Sequence, residues 1–225
     1  MKIAMIGGGM VGQTLASKLL AVGHDVTIGI RAATGAELAK PRNYTATLND
    51  WQAATGGKVA NFAGAAAGAD LVFNATSGLV SLAALRAAGA ENLSGKVLID
   101  VSNPLDFSAG MPPFLPAALS ERTSVGEEIQ KAFPDALVVK AFNTISASVM
   151  VDPALVPGVE LLIAGNSAAA KTQVADLARQ AFGWHGVVDL GDISGARGTE
   201  HLMPIWLRLY MTGGSPLVAL KIIRG

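Results

Sequence analysis

The stretch from Lys2 to Arg31 leaves this chain few folds to choose from. Lys2-Ile3-Ala4-Met5-Ile6 is a short apolar run of the kind that forms a strand buried on both faces of a parallel sheet. Gly7-Gly8-Gly9-Met10-Val11-Gly12 follows and fits G-x-G-x-x-G. Val11, Leu15, Leu19 and Val22 then recur at helical spacing, which predicts a helix with one apolar face. Gly23 suits the end of that helix, where positive φ is common. Val26-Thr27-Ile28-Gly29-Ile30 reads as the next strand. Strand, glycine turn, helix and strand together make a βαβ unit, whose two strands must lie parallel.

That unit is a cradle for a dinucleotide. Gly7 permits the tight turn out of the strand, Gly9 lets a pyrophosphate approach the backbone, and Gly12 lets helix and strand pack closely. The first amides of the helix, at Met10, Val11 and Gly12, then point at the phosphates with the helix dipole behind them. A glycine-rich packing turn is the plain alternative, but the motif stands between a strand and a helix, which is the context it requires. A signal peptide is a poor reading, because three glycines break the apolar run and Lys18 and Asp25 follow soon after. The end of the second strand selects the cofactor. NAD sites place an acid there for the ribose hydroxyl. This chain has Gly29-Ile30-Arg31 instead, and an arginine fork suits the 2′-phosphate of NADP. Lys40 and Arg42 add positive charge nearby.

The 225 residues are 51% hydrophobic and 15% charged, enough for a sizeable core. Seventeen Lys and Arg against seventeen Asp and Glu give a formal charge of zero, which argues against a general nucleic-acid binder. The absence of cysteine excludes disulfides, thiol catalysis and Cys-based metal sites. No run reaches the roughly 18 apolar residues of a membrane span, so a cytoplasmic protein is expected. His24, His185 and His201 lack metal-ligand spacing, and no metal site is expected.

Strand and helix patterns alternate along the chain, which predicts an α/β, Rossmann-type doubly wound and mainly parallel sheet. Further strands are expected at 58–62, 70–76, 96–101, 136–142, 159–164 and 184–190, with edge strands at 45–48 and 217–223. Asn49 or Asp50 is expected to cap a helix through Ala54, and Ser124 one through Ala132, with Glu127 at the capping-box position. The proline-rich stretch 105–123 is either a cover over the site or a surface excursion. The last helix should run over 194–210 and kink or restart at Pro204. A soft boundary after Thr144 divides an NADP-binding domain, residues 1–144, from a small C-terminal α/β lobe, residues 145–225, that completes the active-site cleft.

Ligands of open α/β sheets bind outside the carboxyl ends of the strands. Gly7–Gly12, Ala75-Thr76-Ser77, Ser102-Asn103-Pro104 and Asn143-Thr144 all stand at such ends and should form one rim. Adenosine phosphate belongs at Arg31 and nicotinamide against Ser102, Asn103 and Asn143. Asp100 reads as a buried, hydrogen-bonded strand-end acid. No Tyr-x-x-x-Lys dyad and no Gly-x-Ser-x-Gly elbow appears. No catalytic residue is certain; Asn143 and His201 are the candidates. The missing acid–base pair favours hydride transfer between two rings, which needs alignment and exclusion of water more than a proton donor.

Six segments resemble the NADP-dependent oxidoreductases of the coenzyme F420 (deazaflavin) type: KIAMIGGGMVG (2–12), GHDVTIGIR (23–31), ADLVFNAT (69–76), LIDVSNPL (98–105), VKAFNT (139–144) and HLMPIWLRL (201–209). The resemblance spans nearly the whole chain, and the N-terminal domain of membrane ferric reductases is also similar. It implies a Rossmann domain with a small C-terminal part and hydride transfer between NADP and the deazaflavin. It implies that Arg31 takes the 2′-phosphate, that Met10, Val11 and Gly12 take the pyrophosphate, and that Thr76 and Ser77 flank the ribose and nicotinamide. Asn143, Thr144 and the helix around Met203 would flank the second substrate. The family's archaeal members often carry Gly-Gly-Thr-Gly at the phosphate turn and Ser or Thr before the arginine; Met10 and Ile30 depart from that. Three functions follow for test: an NADPH oxidoreductase with a flat partner, deazaflavin or flavin; a reductase of a small carbonyl or imine, with His201 or Lys140 as proton donor; and a non-catalytic NADPH sensor. Trp206 and Leu209 on the last helix suggest a dimer face, or equally core packing.

Overall fold

The apolar runs become strands because both of their faces are covered. In the computed structural model, which describes residues 1–223, eight strands form a single sheet. They are β1 (Lys2–Ile6), β2 (Asp25–Ile30), β3 (Lys58–Asn61), β4 (Leu71–Asn74), β5 (Val97–Asp100), β6 (Leu137–Ala141), β7 (Glu160–Gly165) and β8 (Gly186–Asp189). Their order is β3-β2-β1-β4-β5-β6-β7-β8. The chain winds outward from β1 to β3, returns to β4 and winds the other way. β1 and β4 are therefore neighbours at a topological switch point, where a crevice opens beyond their carboxyl ends.

Pairing is parallel throughout except between β6 and β7, where Ala141 faces Ile163 in an antiparallel ladder. Reversal carries the start of β7 to the end of the sheet at which β6 finishes. Alternation along each strand sends Ile3, Met5, Phe73, Ile99 and Val139 to one face and Ala4, Ile6, Val72, Leu98 and Val138 to the other. The first face is covered by α1 (Met10–Ala21), α3 (Leu48–Thr55), α8 (Ala147–Val151) and α9 (Ala168–Leu177). The second is covered by α4 (Phe62–Ala67), α5 (Ser81–Ala88), α6 (Ala90–Leu93) and α7 (Val125–Ala132). α2 (Gly35–Ala39) follows β2, and α10 (Gly195–His201) and α11 (Met203–Gly213) close the chain.

Two expected edge strands do not form. Over 45–48 there is only an isolated bridge between Arg42 and Thr45, closing a turn in which Tyr44 takes a φ of 62°. Thr47, rather than Asn49 or Asp50, caps α3, accepting from the Asp50 amide at 3.1 Å. The segment 217–223 is irregular. Pro216 opens it without an N–H, and the Val218 carbonyl is engaged by the Trp206 indole at 2.8 Å instead of a strand partner. The last helix is two helices: α10 ends before Leu202, and Pro204 lies in the first turn of α11, where its missing N–H costs no hydrogen bond.

Candidate active site

Three glycines shape the turn after β1, each through a different constraint. Gly7 has a φ of +118°, and a Cβ there would lie 2.6 Å from the carbonyl oxygen of Ala75, the residue just after β4. A Cβ on Gly12 would lie 2.0 Å from the Gly7 carbonyl, so helix and turn are in backbone contact. Gly9 has nothing within 4 Å of its Cβ position. The turn is closed on the inside and open on the outside, which fits a group approaching the backbone there. The first amide of α1 with an intrahelical acceptor is Gln13, bonded to Gly9 O at 2.9 Å. The amides of Met10, Val11 and Gly12 precede it, no side chain caps them, and the first turn holds no acid. Gln13 is buried and steadies the turn from below, donating to Gly8 O and Ala46 O at 3.1 and 3.0 Å while accepting from the Thr45 hydroxyl at 2.8 Å.

Beside this turn a cleft of about 310 Å³ is lined by Gly7, Gly8, Ile30, Arg31, Lys40 and Arg42, with Ala32, Glu37 and Phe62. Glu37 is the one acid in it and stands 3.6 Å from Lys40. Arg42 donates through Nη2 to the Glu37 carbonyl at 3.3 Å, whereas its buried Nε has no partner. An unpaired buried donor among three cations is what an anionic ligand would satisfy. The residues present therefore fit a 2′-phosphate.

On the other side of the switch point, a cleft of about 280 Å³ is lined by Gly9, Met10, Val11, Ala75, Thr76, Ser77, Val101, Ser102, Asn103, Leu105 and Phe107. Among the described residues no acidic, basic or imidazole side chain lines it. Leu105 and Phe107 come from the proline-rich stretch, which thus forms part of the wall. A larger cleft, about 520 Å³, lies at the far edge beside the starts of β7 and β8, away from the glycine turn.

The floor of the second cleft is a polar network rooted in the core. Thr76 Oγ1 donates to Asn74 Oδ1 at 2.7 Å, and Asn74 Nδ2 donates to Asp100 Oδ1 at 2.8 Å. Ser102 Oγ also donates to Asp100 Oδ1, at 2.7 Å. Asp100 is thus the buried strand-end acid expected. Asn103 and Asn143 clasp each other: Asn103 Nδ2 donates to Asn143 O at 2.8 Å and Asn143 Nδ2 to Asn103 Oδ1 at 2.9 Å. Lys140 Nζ meets Asp100 Oδ2 at 2.8 Å, Glu200 Oε1 at 2.8 Å and the Ser102 carbonyl at 2.5 Å, with its side chain fully buried. Burial alone would depress this amine. The Asp100 and Glu200 carboxylates outweigh it and hold the ammonium above its ordinary value.

Asn143 reaches its partner because Phe142 turns the chain with a φ of 64°. That conformation costs a bulky residue on the order of 1–2 kcal/mol. Phe142 recovers it by packing edge-on against Phe182 and Trp184, at 5.7 and 6.3 Å between ring centroids, each contact contributing about 0.5–1.5 kcal/mol.

Gly7, Gly9, Met10, Val11 and Gly12 are thus brought together with Ala75, Thr76, Ser77, Ser102 and Asn103, and Arg31 stands on the adjoining cleft. Pro104 follows Asn103 but lines neither cleft. Asn143 joins through Asn103. Thr144 and Met203 are buried outside both clefts. His201 is exposed on α10, its Nδ1 2.7 Å from Arg197 O, and lines neither cleft. The sequence reading passed over Gln13, Phe107 and Glu200. Only the last left a signal, since a lysine inside an apolar strand implies buried carboxylates.

Residues 2–104 match the family described as NADP oxidoreductase, coenzyme F420-dependent. The F420-dependent NADP reductase of Methanothermobacter marburgensis is 30% identical over 212 residues, covering 93% of this chain and 92% of that one. A crystal structure from Arthrobacter sp. FB24, whose own assignment as an F420-dependent NADP reductase is provisional, is 48% identical over the full length of both chains, with a TM-score of 0.93. The rat Metalloreductase STEAP3 is 29% identical over 91% of this chain, which spans only 38% of that protein's length.

Proposed function

Because this chain belongs to the family of F420-dependent NADP oxidoreductases, we propose that it passes a hydride between NADP and a flat redox partner, a deazaflavin or flavin. The observation that carries the reading is the second cleft, which offers apolar walls and hydrogen-bonding groups but no proton donor. NADPH, when bound, supplies the hydride from nicotinamide C4; the partner takes both electrons, and the accompanying proton comes from water.

The chain's own work is binding, orientation and exclusion of water. Arg31, Lys40 and Arg42 hold the 2′-phosphate. Gly7, Gly9 and Gly12 shape the turn, and the amides of Met10, Val11 and Gly12 hold the pyrophosphate. Ala75, Thr76, Ser77, Ser102 and Asn103 surround the ribose and nicotinamide, and Pro104 follows them outside the cleft. Met10 and Phe107, both substantially exposed, offer the partner ring a surface for stacking. Asn143 supports the partner's side of the cleft through its clasp with Asn103, whereas Thr144 and Met203, buried outside both clefts, take no direct part. Residues 1–144 bind NADP in this reading, and the residues after 144 complete the cleft. A carbonyl or imine reductase would need a proton donor, yet Lys140 is sealed in the core and His201 lines neither cleft.

The same reading makes the protein cytoplasmic, with no helix long and apolar enough to cross a membrane among the described residues. It is a dimer through α11, whose Ile205 and Leu209 are exposed; sedimentation at micromolar concentration tests that state. Stopped-flow loss of nicotinamide absorbance on mixing NADPH with F420, or with FMN, tests the reaction. Transfer to either supports it. No transfer to any flavin or deazaflavin, with turnover of a carbonyl or imine instead, overturns it; tight NADPH binding without any turnover points to a sensor.

A further inference from the structure

The ion cluster at the core has no binding or proton-transfer task in the function proposed above, yet it links both halves of the chain. It joins the end of β5 (Asp100), the penultimate residue of β6 (Lys140) and α10 (Glu200). Glu200 also accepts from the amides of Val125 and Gly126 at 3.0 and 3.2 Å, so the start of α7 offsets the second carboxylate. All three polar groups of Ser102 are engaged by this cluster: its carbonyl by Lys140, and its amide and hydroxyl by Asp100 at 3.2 and 2.7 Å. Asn103 comes next and holds Asn143. Its carbonyl accepts from the Gly78 amide at 2.9 Å. The contacts therefore run from α10 to the turn that lines the second cleft.

A purely supporting role would not need charge, since apolar side chains of similar volume generally hold a core as well. What charge adds here is direction, because each bond fixes one atom of one rim residue. α7 and α10 also pack closely, a Cβ on Gly126 lying 2.9 Å from that of Ala196, which leaves Glu200 little freedom to turn away.

We propose that Lys140, Asp100 and Glu200 are positioning residues through which the C-terminal helices set the Ser102–Asn103 turn against the nicotinamide end of the cofactor. The proposal rests on the NADP reading of the cleft. It requires Glu200, distant from the phosphate-binding turn, to affect one end of the cofactor and not the other.

Calorimetric titration of the full chain with NADPH, and with 2′-phospho-ADP-ribose, which lacks only the nicotinamide, separates the two ends. Glu200→Gln keeps the side chain's size and removes its charge. Affinity for NADPH should fall about tenfold, the worth of one well-placed hydrogen bond, while affinity for the shorter ligand stays within about twofold. The double variant Asp100→Asn, Lys140→Met removes both partners of the buried pair, leaves Glu200 on its two amides, and should show the same split, which keeps the test available if the single variant folds poorly. Equal weakening of both ligands overturns the proposal. So does a fall in thermal stability with both affinities unaltered, which assigns the cluster a structural role alone. Failure of the unaltered chain to bind NADPH overturns the cofactor reading first, and this proposal with it.

Discussion

Among the helices that start at the carboxyl-end rim of the sheet, α1 and α7 use their first turns in opposite ways. α1 begins at Gly9 with no capping side chain and no acid. α7 begins at Ser124, whose hydroxyl accepts from the Glu127 amide, and carries Glu127 and Glu128 in its first turn. Glu200 then occupies the amides of Val125 and Gly126. Both starts concentrate partial positive charge. One is filled by the protein's own carboxylates; the other is left uncapped by any side chain. The contrast teaches that a bare helix start next to glycine is set by neighbouring residues, since the same chain caps α7 at the same rim thoroughly.

The comparison can be broken from either side. The largest effect should come from Glu200→Ala, which leaves the buried amides of Val125 and Gly126 without an acceptor and takes away one of the two carboxylates on Lys140. Urea unfolding should show a loss of about 3–5 kcal/mol. Gly12→Ala attacks the other helix by forcing a Cβ into the Gly7 carbonyl. It should cost about 3 kcal/mol in the same assay and abolish NADPH uptake. Arg31→Ser leaves the fold alone; NADPH affinity should fall by about 2 kcal/mol, while NADH affinity is nearly unchanged in fluorescence titration. Equal loss for both nucleotides would remove the 2′-phosphate assignment. Ser124→Ala should cost only about 1 kcal/mol by thermal melt, the value of one cap.

A pH series sharpens the same contrast. The Lys140 ammonium titrates above its ordinary 10.5. A raised value in the folded state means that its stabilisation is complete below 10.5 and is lost only as pH climbs through the higher, folded value. Urea midpoints should show no loss from this group between about pH 7 and 10, and a fall beyond.

Much of this was legible because the relevant signals are local. G-x-G-x-x-G, the alternating apolar runs and the Ser124–Glu127 cap each occupy consecutive residues, and each formed as read. The two lost edge strands had apolar composition but no partner: at 45–48 a Tyr44 turn and the Thr47 cap compete, and at 217–223 the Val218 carbonyl serves Trp206. Composition records burial, not which backbone group finds which partner. The polar floor was half legible. Asn103 and Asn143 stand at strand ends and can be picked out, but they are forty positions apart, and their clasp depends on Phe142 adopting a rare backbone twist. Glu200 lies farther still from the amides it occupies, and nothing in its own neighbourhood marks it.

The reversed direction of β7 bears on how this scaffold can be remodelled. Because that strand enters the sheet where β6 leaves it, the connection spanning 144–160 never travels to the opposite end. Extra residues inserted at 153–158 would gather at the sheet's far edge, beside the cleft lined by Pro153 and Pro157. Lengthening this one link would therefore enlarge the sheet's outer edge without adding chain to either cleft beside the glycine turn.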